Sequence, residues 1–498
     1  MTATSPQPKT TSSQTSYCVS EWQGGHRSLK EEYSYWIDDI EGQIPGDLRG
    51  TVFRNGPGLL DVNGDRLHHP FDGDGMICAF SFHQGKAHFQ NRFVRTEGYL
   101  AEQKAGRILY RGVFGTQKPG GWFANMFDLR FKNIANTNIV YWGNKLLALW
   151  EAGMPHRLNP ATLETEGLDN LGGVLGDGQP FSAHPRFDPG DAQHPPRFVN
   201  FSVESGLSTK LTVFEFDLGG QLIQQYSHSI PGLGFFHDFV LTPNFTLFFQ
   251  NPVVMNPIPF VLGLRGAAQS LQFLPDQPTT IWIIPRNGKD PVQRIDTEAC
   301  FVFHHANAFE QDHKILVDSV CYSHFPTLGP EEDYRNVNFD QYPAGQLYRF
   351  TLDLNQQQVY RDQLASRSCE FPALHPRSMG QDYRYLYLGV THEATGNAPL
   401  QAIQKLDLRA DSQSTDPAQI WSAAPSGFIG EPLFIPKAQT TQEDAGWVLT
   451  LIYDGAANRS ELVILDGEDL SRGAIARLKL KHHIPYGLHG CYTPETFI

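Results

Sequence analysis

One stretch of the chain begins as a strand and ends in polar residues: Phe301-Val302-Phe303-His304-His305-Ala306-Asn307-Ala308-Phe309-Glu310. Apolar side chains alternate at its start, which is typical of a strand with a buried face. Adjacent histidines and an asparagine then occupy positions where a core strand would continue with valine or leucine. The pattern predicts that this strand delivers polar groups to a functional site.

Three more histidines have similar settings, because each follows or precedes aromatic and apolar residues: His184 in Phe181-Ser182-Ala183-His184-Pro185, His237 in Gly234-Phe235-Phe236-His237-Asp238-Phe239, and His489 in Tyr486-Gly487-Leu488-His489-Gly490. Imidazole is the commonest protein metal ligand. The four are too far apart for a zinc finger or an H-E-x-x-H helix, so the fold must assemble any joint site. Taken singly, each histidine is more often a surface or hydrogen-bonded core residue.

Three glutamates stand at the ends of apolar stretches, where a free carboxylate would be costly to bury: Glu151, Glu370 and Glu431. Metal-bound histidines usually donate their other ring N–H to a carboxylate or a carbonyl. The glutamates are therefore candidates to orient the histidines. The alternative is that each forms a buried structural ion pair with an arginine.

The composition of the 498 residues favours a β-rich protein that binds a small molecule. Hydrophobic residues make up 40% and charged residues 18%, with 46 glycines and 34 prolines, which indicates many short strands joined by turns. The net charge of -14 disfavours nucleic acid as a partner. Six cysteines without a C-x-x-C pair predict neither a disulfide framework nor a zinc ribbon, and they fit a reducing cytoplasm.

The chain is predicted to consist of a disordered N-terminal arm, residues 1–20, and one catalytic domain, residues 21–498. The arm is rich in Ser, Thr, Pro and Gln and has no signal-peptide pattern. No apolar run is long enough to span a bilayer. A short run with three prolines, residues 252–264, either lies in a membrane interface or forms a buried loop.

Strand and turn signals recur along the whole chain. Tight turns are expected at Asn55-Gly56 and within residues 72–75, and hairpins over residues 136–151, 198–226 and 235–249, turning at 143–144, 219–220 and 243–244. The series continues to residues 474–480 with no helical interlude, so the fold class is all-β. A series this long must close into a sandwich array, a barrel or a propeller, and a β-propeller is our prediction. No repeat motif gives the number of blades.

A set of ordered motifs resembles the carotenoid cleavage oxygenase family. They are Arg54-Asn55-Gly56-Pro57, His69-Pro70-Phe71-Asp72-Gly73-Asp74-Gly75-Met76, Asn136-Thr137-Asn138, Phe236-His237-Asp238-Phe239, Phe303-His304-His305-Ala306-Asn307-Ala308, Gly430-Glu431-Pro432 and Pro485-Tyr486-Gly487-Leu488-His489-Gly490. The resemblance runs from about residue 36 to residue 489 and is greatest to members that cleave apocarotenals at the 15,15′ bond.

The resemblance implies a seven-bladed β-propeller, with long loops capping the active-site face, and one Fe(II) per chain on the propeller axis. The implied ligands are His184, His237, His304 and His489, with Glu151, Glu370 and Glu431 as hydrogen-bond partners of three of them. His304 is chosen over His305 because the family pattern keeps a histidine three residues before the asparagine. The pattern provides no carboxylate partner for His184.

The implied activity is oxidative cleavage of a conjugated C=C bond by O₂, giving retinal and a second carbonyl product from a β-apocarotenal. Family analogy places Thr137 near an open coordination position. The expected lining of an apolar substrate tunnel is Phe71, Phe114, Trp150, Phe236, Phe303 and Phe371. Since such substrates dissolve in membranes, a cytoplasmic protein with peripheral membrane contact through residues 253–264 and 120–123 is expected.

Two other readings of the sequence remain open. A propeller of the same family could bind or isomerise a lipid or retinoid without oxidising it. Alternatively, a metal-free propeller could bind a sugar or a protein, with the histidines as core residues. Oxygen uptake that depends on substrate would distinguish the oxygenase from the first alternative. Bound metal would distinguish the oxygenase from the second alternative.

Overall fold

The computed structural model describes residues 16–192, 194–206, 208–410, 418–438 and 440–498. The first fifteen residues of the predicted N-terminal arm lie outside this range. Helices in the described residues are short, and the α-helices are α1 (Val19–Gly24), α2 (Glu97–Ala105), α3 (Gly121–Asn125) and α4 (Pro257–Val261). One-turn 3₁₀ helices cover Pro70–Asp72, Ala268–Ser270, Tyr334–Asn336, Phe339–Gln341, Pro376–Ser378 and Leu470–Arg472. Helix α1 begins inside the range predicted as the arm.

The strands of the first half are β1 (Ser34–Trp36), β2 (Asp39–Gly42), β3 (Gly50–Leu59), β4 (Asp61–Val62), β5 (Asp65–Arg66), β6 (Asp74–His83), β7 (Lys86–Phe93), β8 (Asn138–Trp142), β9 (Lys145–Leu149), β10 (His156–Leu158), β11 (Thr165–Leu168), β12 (Arg186–Asp188), β13 (Arg197–Ser205), β14 (Ser208–Phe216), β15 (Leu222–Pro231), β16 (Val240–Leu241), β17 (Phe245–Gln250) and β18 (Val253–Met255).

Those of the second half are β19 (Leu271–Phe273), β20 (Thr279–Pro285), β21 (Gln293–Thr297), β22 (Phe301–Gln311), β23 (Lys314–Tyr322), β24 (Gln346–Asp353), β25 (Gln358–Ala365), β26 (Cys369–Ala373), β27 (Tyr385–Thr391), β28 (Leu400–Asp407), β29 (Gln419–Ser422), β30 (Gly427–Ile429), β31 (Leu433–Pro436), β32 (Gly446–Asp454), β33 (Arg459–Asp466), β34 (Ala474–Lys479) and β35 (Gly490–Thr493).

Seven antiparallel sheets form the blades of a β-propeller, which confirms the predicted fold class. Blade 1 has the order β1-β7-β6-β3-β35, and blades 2 and 3 are β8–β11 and β12–β15. Blade 4 is β16-β17-β20-β21, blades 5 and 6 are β22–β25 and β26–β29, and blade 7 joins β2, β34, β33 and β32 to β30 and β31. Two small ribbons, β4-β5 and β18-β19, lie outside the blades.

The chain closes the ring by pairing its two ends with distant strands. The C-terminal β35 pairs with β3, with Thr493 opposite Thr51, and the N-terminal β2 pairs with β34, with Asp39 opposite Lys479. Every blade therefore has a neighbour on both sides. The ring leaves only a short outer edge on each blade, in place of the long exposed edges of an open β series.

Adjacent blades share an apolar core, and this explains why many strands are apolar at consecutive positions. Phe198 packs with Val140 and Leu149 of blade 2, whereas the next residue, Val199, packs with Phe248 of blade 4. Successive side chains of a strand point to opposite faces of its sheet. Since both faces of a blade are buried, the side chains on both faces must be apolar.

Long loops pack together as a cap over one face, as the resemblance implied. The backbone N–H of Ala268 donates to the Val113 carbonyl, and the Gln269 amide donates to the Leu328 carbonyl. Helix α2 belongs to these loops. It begins where the Thr96 hydroxyl accepts from the Tyr99 N–H, and it ends at Gly106 with a φ of 62°.

The predicted turn at Asn55-Gly56 is wrong, because both residues lie inside β3. The Asn55 amide donates to the carbonyls of Ala135 and Asn138 in the next blade. A Cβ on Gly56 would lie 2.5 Å from the Cα of Gly487, so glycine is required here by a close approach and not by a turn.

The other hairpin predictions had mixed outcomes. The hairpin over residues 136–151 is β8–β9, and the hairpin turning at 243–244 is β16–β17. The segment 198–226 contains three strands, since β13 turns into β14 before β14 turns into β15 at 219–220. Residues 70–72 form one 3₁₀ turn, after which Asp74 begins β6.

Candidate metal centre

The fold brings His184, His237, His304 and His489 together, although they are far apart in sequence. One ring nitrogen from each lies within 4.8 Å of the other three. The Nε2 atoms of His184 and His489 are 3.2 Å apart, and those of His237 and His304 are 3.3 Å apart. Four imidazoles thus converge on one point.

Topology explains this convergence. The first strands of the blades contact one another around the axis: β35 with β8 and β31, β16 with β12 and β22, and β22 with β26. His184, His237 and His489 precede the innermost strands β12, β16 and β35, and His304 lies near the start of β22. Innermost strands of a propeller run in the same direction, so their starts meet at one end of the central channel.

Each of the three glutamates contacts one histidine of the cluster through the ring nitrogen that faces away from the centre. Glu151 accepts from His237 Nδ1. Glu370 accepts from His304 Nδ1 at 2.6 Å, and Glu431 accepts from His489 Nδ1 at 2.8 Å. The resemblance implied these three glutamates as partners of three of the histidines, without assigning the individual pairs. His184 Nδ1 is buried without a hydrogen-bond partner among the described residues.

The two glutamates that are most enclosed have a second partner that sequence reasoning missed. The Arg54 guanidinium donates to Glu431 at 2.6 Å, and the Tyr322 hydroxyl donates to Glu370 at 2.5 Å. For Glu431, the carboxylate–histidine pair and the alternative arginine ion pair are therefore both present. Arg54 stands directly before Asn55 in a quoted motif, whereas nothing in the sequence marks Tyr322.

Burial and charge act in opposite directions on these pairs. Burial lowers the pKa of His304, but the Glu370 carboxylate outweighs it, so that the pKa is raised. Burial raises the pKa of Glu370, yet His304 and Tyr322 hold it below its usual value. The carboxylate of Glu370 and the ring of His304 are therefore joined by a strong, charge-assisted hydrogen bond inside the protein.

His305, the neighbour of His304, is turned away from the cluster. Its Nδ1 lies 2.7 Å from the Ser319 hydroxyl, and its ring packs against Phe249 at 4.7 Å. Its backbone N–H donates to Asp238 at 2.9 Å. The structure thus brings His304, and not His305, to the centre.

Arg186 and Asp238 tie three of the histidine segments together, a role that the sequence did not reveal. Asp238 follows His237, and it accepts from the Arg186 guanidinium at 2.5 Å and from the His305 N–H. Arg186 also donates to the His305 carbonyl at 2.9 Å. The ion pair therefore links the segments that carry His184, His237 and His304.

The donor set fits a cation. The Nδ1 atoms of His237 and His304 both contact a carboxylate, and in neutral rings that keep the proton on Nδ1 the Nε2 lone pairs face each other at 3.3 Å. Two nitrogens about 2.1 Å from one ion lie about 3 Å apart when they are at right angles. A shared metal ion would relieve the repulsion between the lone pairs.

Thr137 lies beside the cluster and is buried. Its carbonyl accepts from the His489 N–H at 3.2 Å, and its hydroxyl donates to the Asn136 side chain at 3.2 Å. Thr137 thus belongs to the packing around His489.

The six predicted tunnel aromatics have different surroundings. Phe371 lies 5.7 Å from the His304 ring and 5.6 Å from the His489 ring, and Phe303 lies 5.2 Å from the His237 ring. Phe71 packs edge-on against Phe114 at 5.3 Å and lines a cavity of about 380 Å³ that also reaches Phe371.

Two of the predicted aromatics lie elsewhere. Trp150 is buried directly before Glu151 and borders a smaller cavity. Phe236 packs against Phe248 in the core between blades 3 and 4.

An apolar patch is exposed on the cap where α3 and α4 meet. The Phe127 N–H donates to the Val261 carbonyl, which joins the two segments. Phe123 and Phe127 are 70% and 67% exposed. We call this surface the α3–α4 patch, and its other exposed members are Trp122, Leu129, Val254, Ile258 and Leu264. No helix in the described residues is long and apolar enough to cross a membrane.

Seven blades around four converging imidazoles define a propeller with an axial site that can hold a metal ion. The sequence model of the retinal pigment epithelial membrane protein (RPE65) family matches residues 26–494 of this chain. The chain therefore belongs to the RPE65/carotenoid oxygenase family.

Several similar proteins are named as oxygenases. An apocarotenoid-15,15′-oxygenase from Synechocystis sp. is 52% identical over 492 residues, which cover 98% of this chain and 99% of the relative. A carotenoid 9,10(9′,10′)-cleavage dioxygenase 1 from Phaseolus vulgaris is 26% identical and covers 92% of this chain and 86% of its own length. The crystal structure of cobalt-substituted Synechocystis ACO superposes with a TM-score of 0.94 at 52% identity, over 96% of this chain and all of the other.

Proposed function

We propose that this chain is a non-haem Fe(II) dioxygenase that cleaves the 15,15′ double bond of β-apocarotenals, giving retinal and a second carbonyl product. The observation that carries the proposal is that the Nε2 atoms of His237 and His304 face each other at 3.3 Å while the Nδ1 atoms of both rings contact carboxylates. The similarity to an apocarotenoid-15,15′-oxygenase supports the choice of substrate and bond.

The proposed ligands of the iron are His184, His237, His304 and His489. Imidazole suits iron as well as other first-row metals, and four neutral ligands leave the ion its full positive charge. Bound Fe(II) would supply the activation of O₂. The cobalt-substituted relative supports a site for a divalent transition metal.

The residues around the iron have separate proposed roles. Glu151, Glu370 and Glu431 keep the proton on Nδ1 of three histidines and so direct the Nε2 lone pairs inward. Thr137 restricts the space beside His489. No serine or cysteine nucleophile is required, because the two oxygen atoms of O₂ become the two carbonyl oxygens of the products.

An apolar path is needed to place a rod-like polyene beside the iron. Phe371 and Phe303 are proposed to bind the chain next to the histidines, with Phe71 and Phe114 further along the path. Aromatic faces can stabilise positive charge that develops on a polyene. The same rings exclude water, which keeps the site dry.

We infer that residues 21–498 work as a single catalytic domain, in the cytoplasm, and that the α3–α4 patch contacts a membrane. Contiguous exposed apolar surface is rare on proteins that remain free in water. Aromatic and aliphatic side chains together are suited to the boundary between headgroups and acyl chains. Apolar polyenes partition into membranes, so this contact would give the substrate a short way into the protein.

The test is iron content together with oxygen uptake on the purified protein. We expect about one iron per chain after anaerobic Fe(II) loading, loss of iron in His304→Ala, and retention in His305→Ala, whose side chain lies outside the cluster. Adding a β-apocarotenal should then consume O₂ and form retinal. A wild-type protein that takes up no iron would refute the proposal, and iron binding with polyene isomerisation but no O₂ uptake would point to an isomerase.

A further inference from the structure

One oxygen of the Glu370 carboxylate holds two groups beside the metal centre. This oxygen, Oε2, accepts from His304 Nδ1 at 2.6 Å and from the backbone N–H of Phe371 at 2.9 Å. The centroid of the Phe371 ring lies 5.7 Å from that of the His304 ring. The orientation of a cluster imidazole and the position of the neighbouring aromatic residue therefore depend on the same carboxylate.

The backbone of Phe371 needs such support, because it has an unusual conformation. Its φ is 55°, in the left-handed region, which bulky side chains rarely adopt. The register of β26 against β27 shifts between Glu370 and Ala373, so Phe371 lies in a bulge and outside the regular ladder. A strained residue of this kind persists only where its surroundings hold it. Among the contacts that hold this one is the hydrogen bond from its own N–H to Glu370.

Tyr322, at the end of β23, holds the other oxygen of the same carboxylate. Its hydroxyl donates to Glu370 Oε1 at 2.5 Å, and its ring packs edge-on against Phe303 at 5.8 Å. Burial and the charge of Glu370 raise the pKa of Tyr322 well above its usual value, so the hydroxyl keeps its proton and donates. With a donor on each oxygen, the carboxylate is not free to rotate.

The donor that anchors Glu370 differs in charge from the one that anchors Glu431. Arg54, a cation, donates to Glu431 at 2.6 Å, whereas the Tyr322 hydroxyl is neutral. A neutral donor fixes the geometry of a carboxylate without supplying a compensating positive charge. The negative charge of Glu370 is thus left to His304.

We propose that Tyr322 is a positioning residue, which locks the Glu370 carboxylate and thereby holds His304 and Phe371 as one unit. Through His304 it acts on the metal, and through Phe371 it sets which double bond of the polyene lies beside the metal. The second part rests on the proposed function, in which the polyene packs against Phe371. The first part requires only that the four histidines bind a metal ion.

Tyr322→Phe tests this role, because it removes the hydroxyl and keeps the ring against Phe303. Metal-free protein is titrated anaerobically with Fe(II), and separately with Co(II), whose d–d absorption bands report the geometry of the ligands. We expect Fe(II) affinity to fall about tenfold and the Co(II) bands to shift, because Glu370 Oε1 loses its partner and the His304 ring is less firmly oriented. The products of β-apocarotenal cleavage should shift from retinal towards longer and shorter aldehydes.

Tyr383→Phe is the matched control. Tyr383 is also buried, and its hydroxyl donates to a carboxylate, Asp318, at 2.6 Å. The other side-chain partner of Asp318 is Arg349 and not a histidine of the cluster. Tyr383→Phe should therefore leave Fe(II) affinity, the Co(II) spectrum and the products as in wild type.

The role of Tyr322 is overturned if Tyr322→Phe changes only the thermal stability of the protein and neither metal readout, or if Tyr383→Phe changes the metal readouts equally. Altered metal binding with unchanged products would overturn the part that involves Phe371. The proposed function fails separately, if the wild type binds metal but cleaves no polyene. In that case the Co(II) titration still decides whether Tyr322 positions His304.

Discussion

At the scale of single residues, a carboxylate of the metal centre contacts a histidine of the cluster and, at the same time, a second side chain. Glu431 accepts from His489 and also from Arg54, whose second amino group donates to the Leu488 carbonyl. The arginine therefore holds both the carboxylate and the backbone beside the histidine. A carboxylate with a fixed partner on each oxygen orients an imidazole more rigidly than one that is free to rotate.

The Arg186–Asp238 pair has a comparable effect on three histidine segments, and this leads to a prediction. In Asp238→Asn, the charge that faces Arg186 is lost, while a polar side chain of the same size remains. Because ligand orientation should loosen, we expect Fe(II) affinity to fall about tenfold or more. Anaerobic equilibrium dialysis measures it.

Asp382→Asn is the control for this variant, because Asp382 forms an ion pair with Arg409 in which both side chains are more than half exposed. It should bind Fe(II) like wild type. Equal affinity of Asp238→Asn and wild type would show that the ion pair does not position the ligands.

At the scale of elements, the short helices α3 and α4 of the cap are held together and form one surface. Arg111 is almost completely buried and donates to the carbonyls of Asn125, Asp128, Phe260 and Arg265, which belong to the α3 and α4 segments. The shared arginine fixes the two segments relative to each other. The exposed apolar residues of the α3–α4 patch are thereby held on one surface of the cap.

The patch should be needed for access to membrane-borne substrate and not for metal binding. We expect the double variant Phe123→Ser/Phe127→Ser to bind phospholipid vesicles at least tenfold more weakly, because two large exposed rings no longer enter the interface. Cosedimentation with vesicles measures this. Iron content and cleavage of detergent-dispersed substrate should remain near wild type.

Leu168→Ser removes an exposed side chain from β11, outside the patch, where Leu168 is 61% exposed. Its vesicle binding should equal that of wild type. Loss of iron from the Phe123/Phe127 variant would instead mean that the patch is structural.

At the scale of the whole molecule, blades 3 and 4 are joined by a buried ion network as well as by apolar packing. The Arg286 guanidinium, which follows β20, donates to Glu215 of β14 and to Asp188 of β12. Arg197 of β13 also donates to Glu215 at 2.5 Å. Burial raises the pKa of Glu215, but the two arginines outweigh it and hold the pKa below its usual value.

Because the pKa of Glu215 is lower in the folded chain than the value of about 4.3 in the unfolded chain, its contribution to stability is complete above that pH. The contribution is lost as the pH falls through the folded pKa. Glu215→Gln should therefore lower the free energy of unfolding by about 3 kcal/mol at pH 7, where it leaves two buried arginines without their partner. The difference from wild type should shrink below pH 4, as measured by chemical denaturation at several pH values.

Glu204→Gln provides the comparison, since Glu204 pairs with Lys210 on the surface with both side chains more than 40% exposed. Such pairs contribute about 1 kcal/mol or less. A pH-independent effect of Glu215→Gln would contradict the assigned role of the carboxylate.

The sequence by itself determined the all-β class, several of the hairpins, and a set of candidate histidines and glutamates that stand in apolar contexts. These depend on local chemistry: alternation, turn residues, and polar side chains in apolar contexts. Seven blades, the choice of His304 over His305 and the substrate came from family resemblance, because no internal repeat or local spacing encodes them.

Tertiary structure alone decided which groups meet. Asn55-Gly56 has the composition of a turn but lies in a strand, since its hydrogen-bond partners and its close neighbour come from other parts of the chain. Arg54 and Tyr322 reach the carboxylates across 377 and 48 residues. Such contacts are visible only in the folded chain, because contacts between distant segments leave no periodic signal in the sequence.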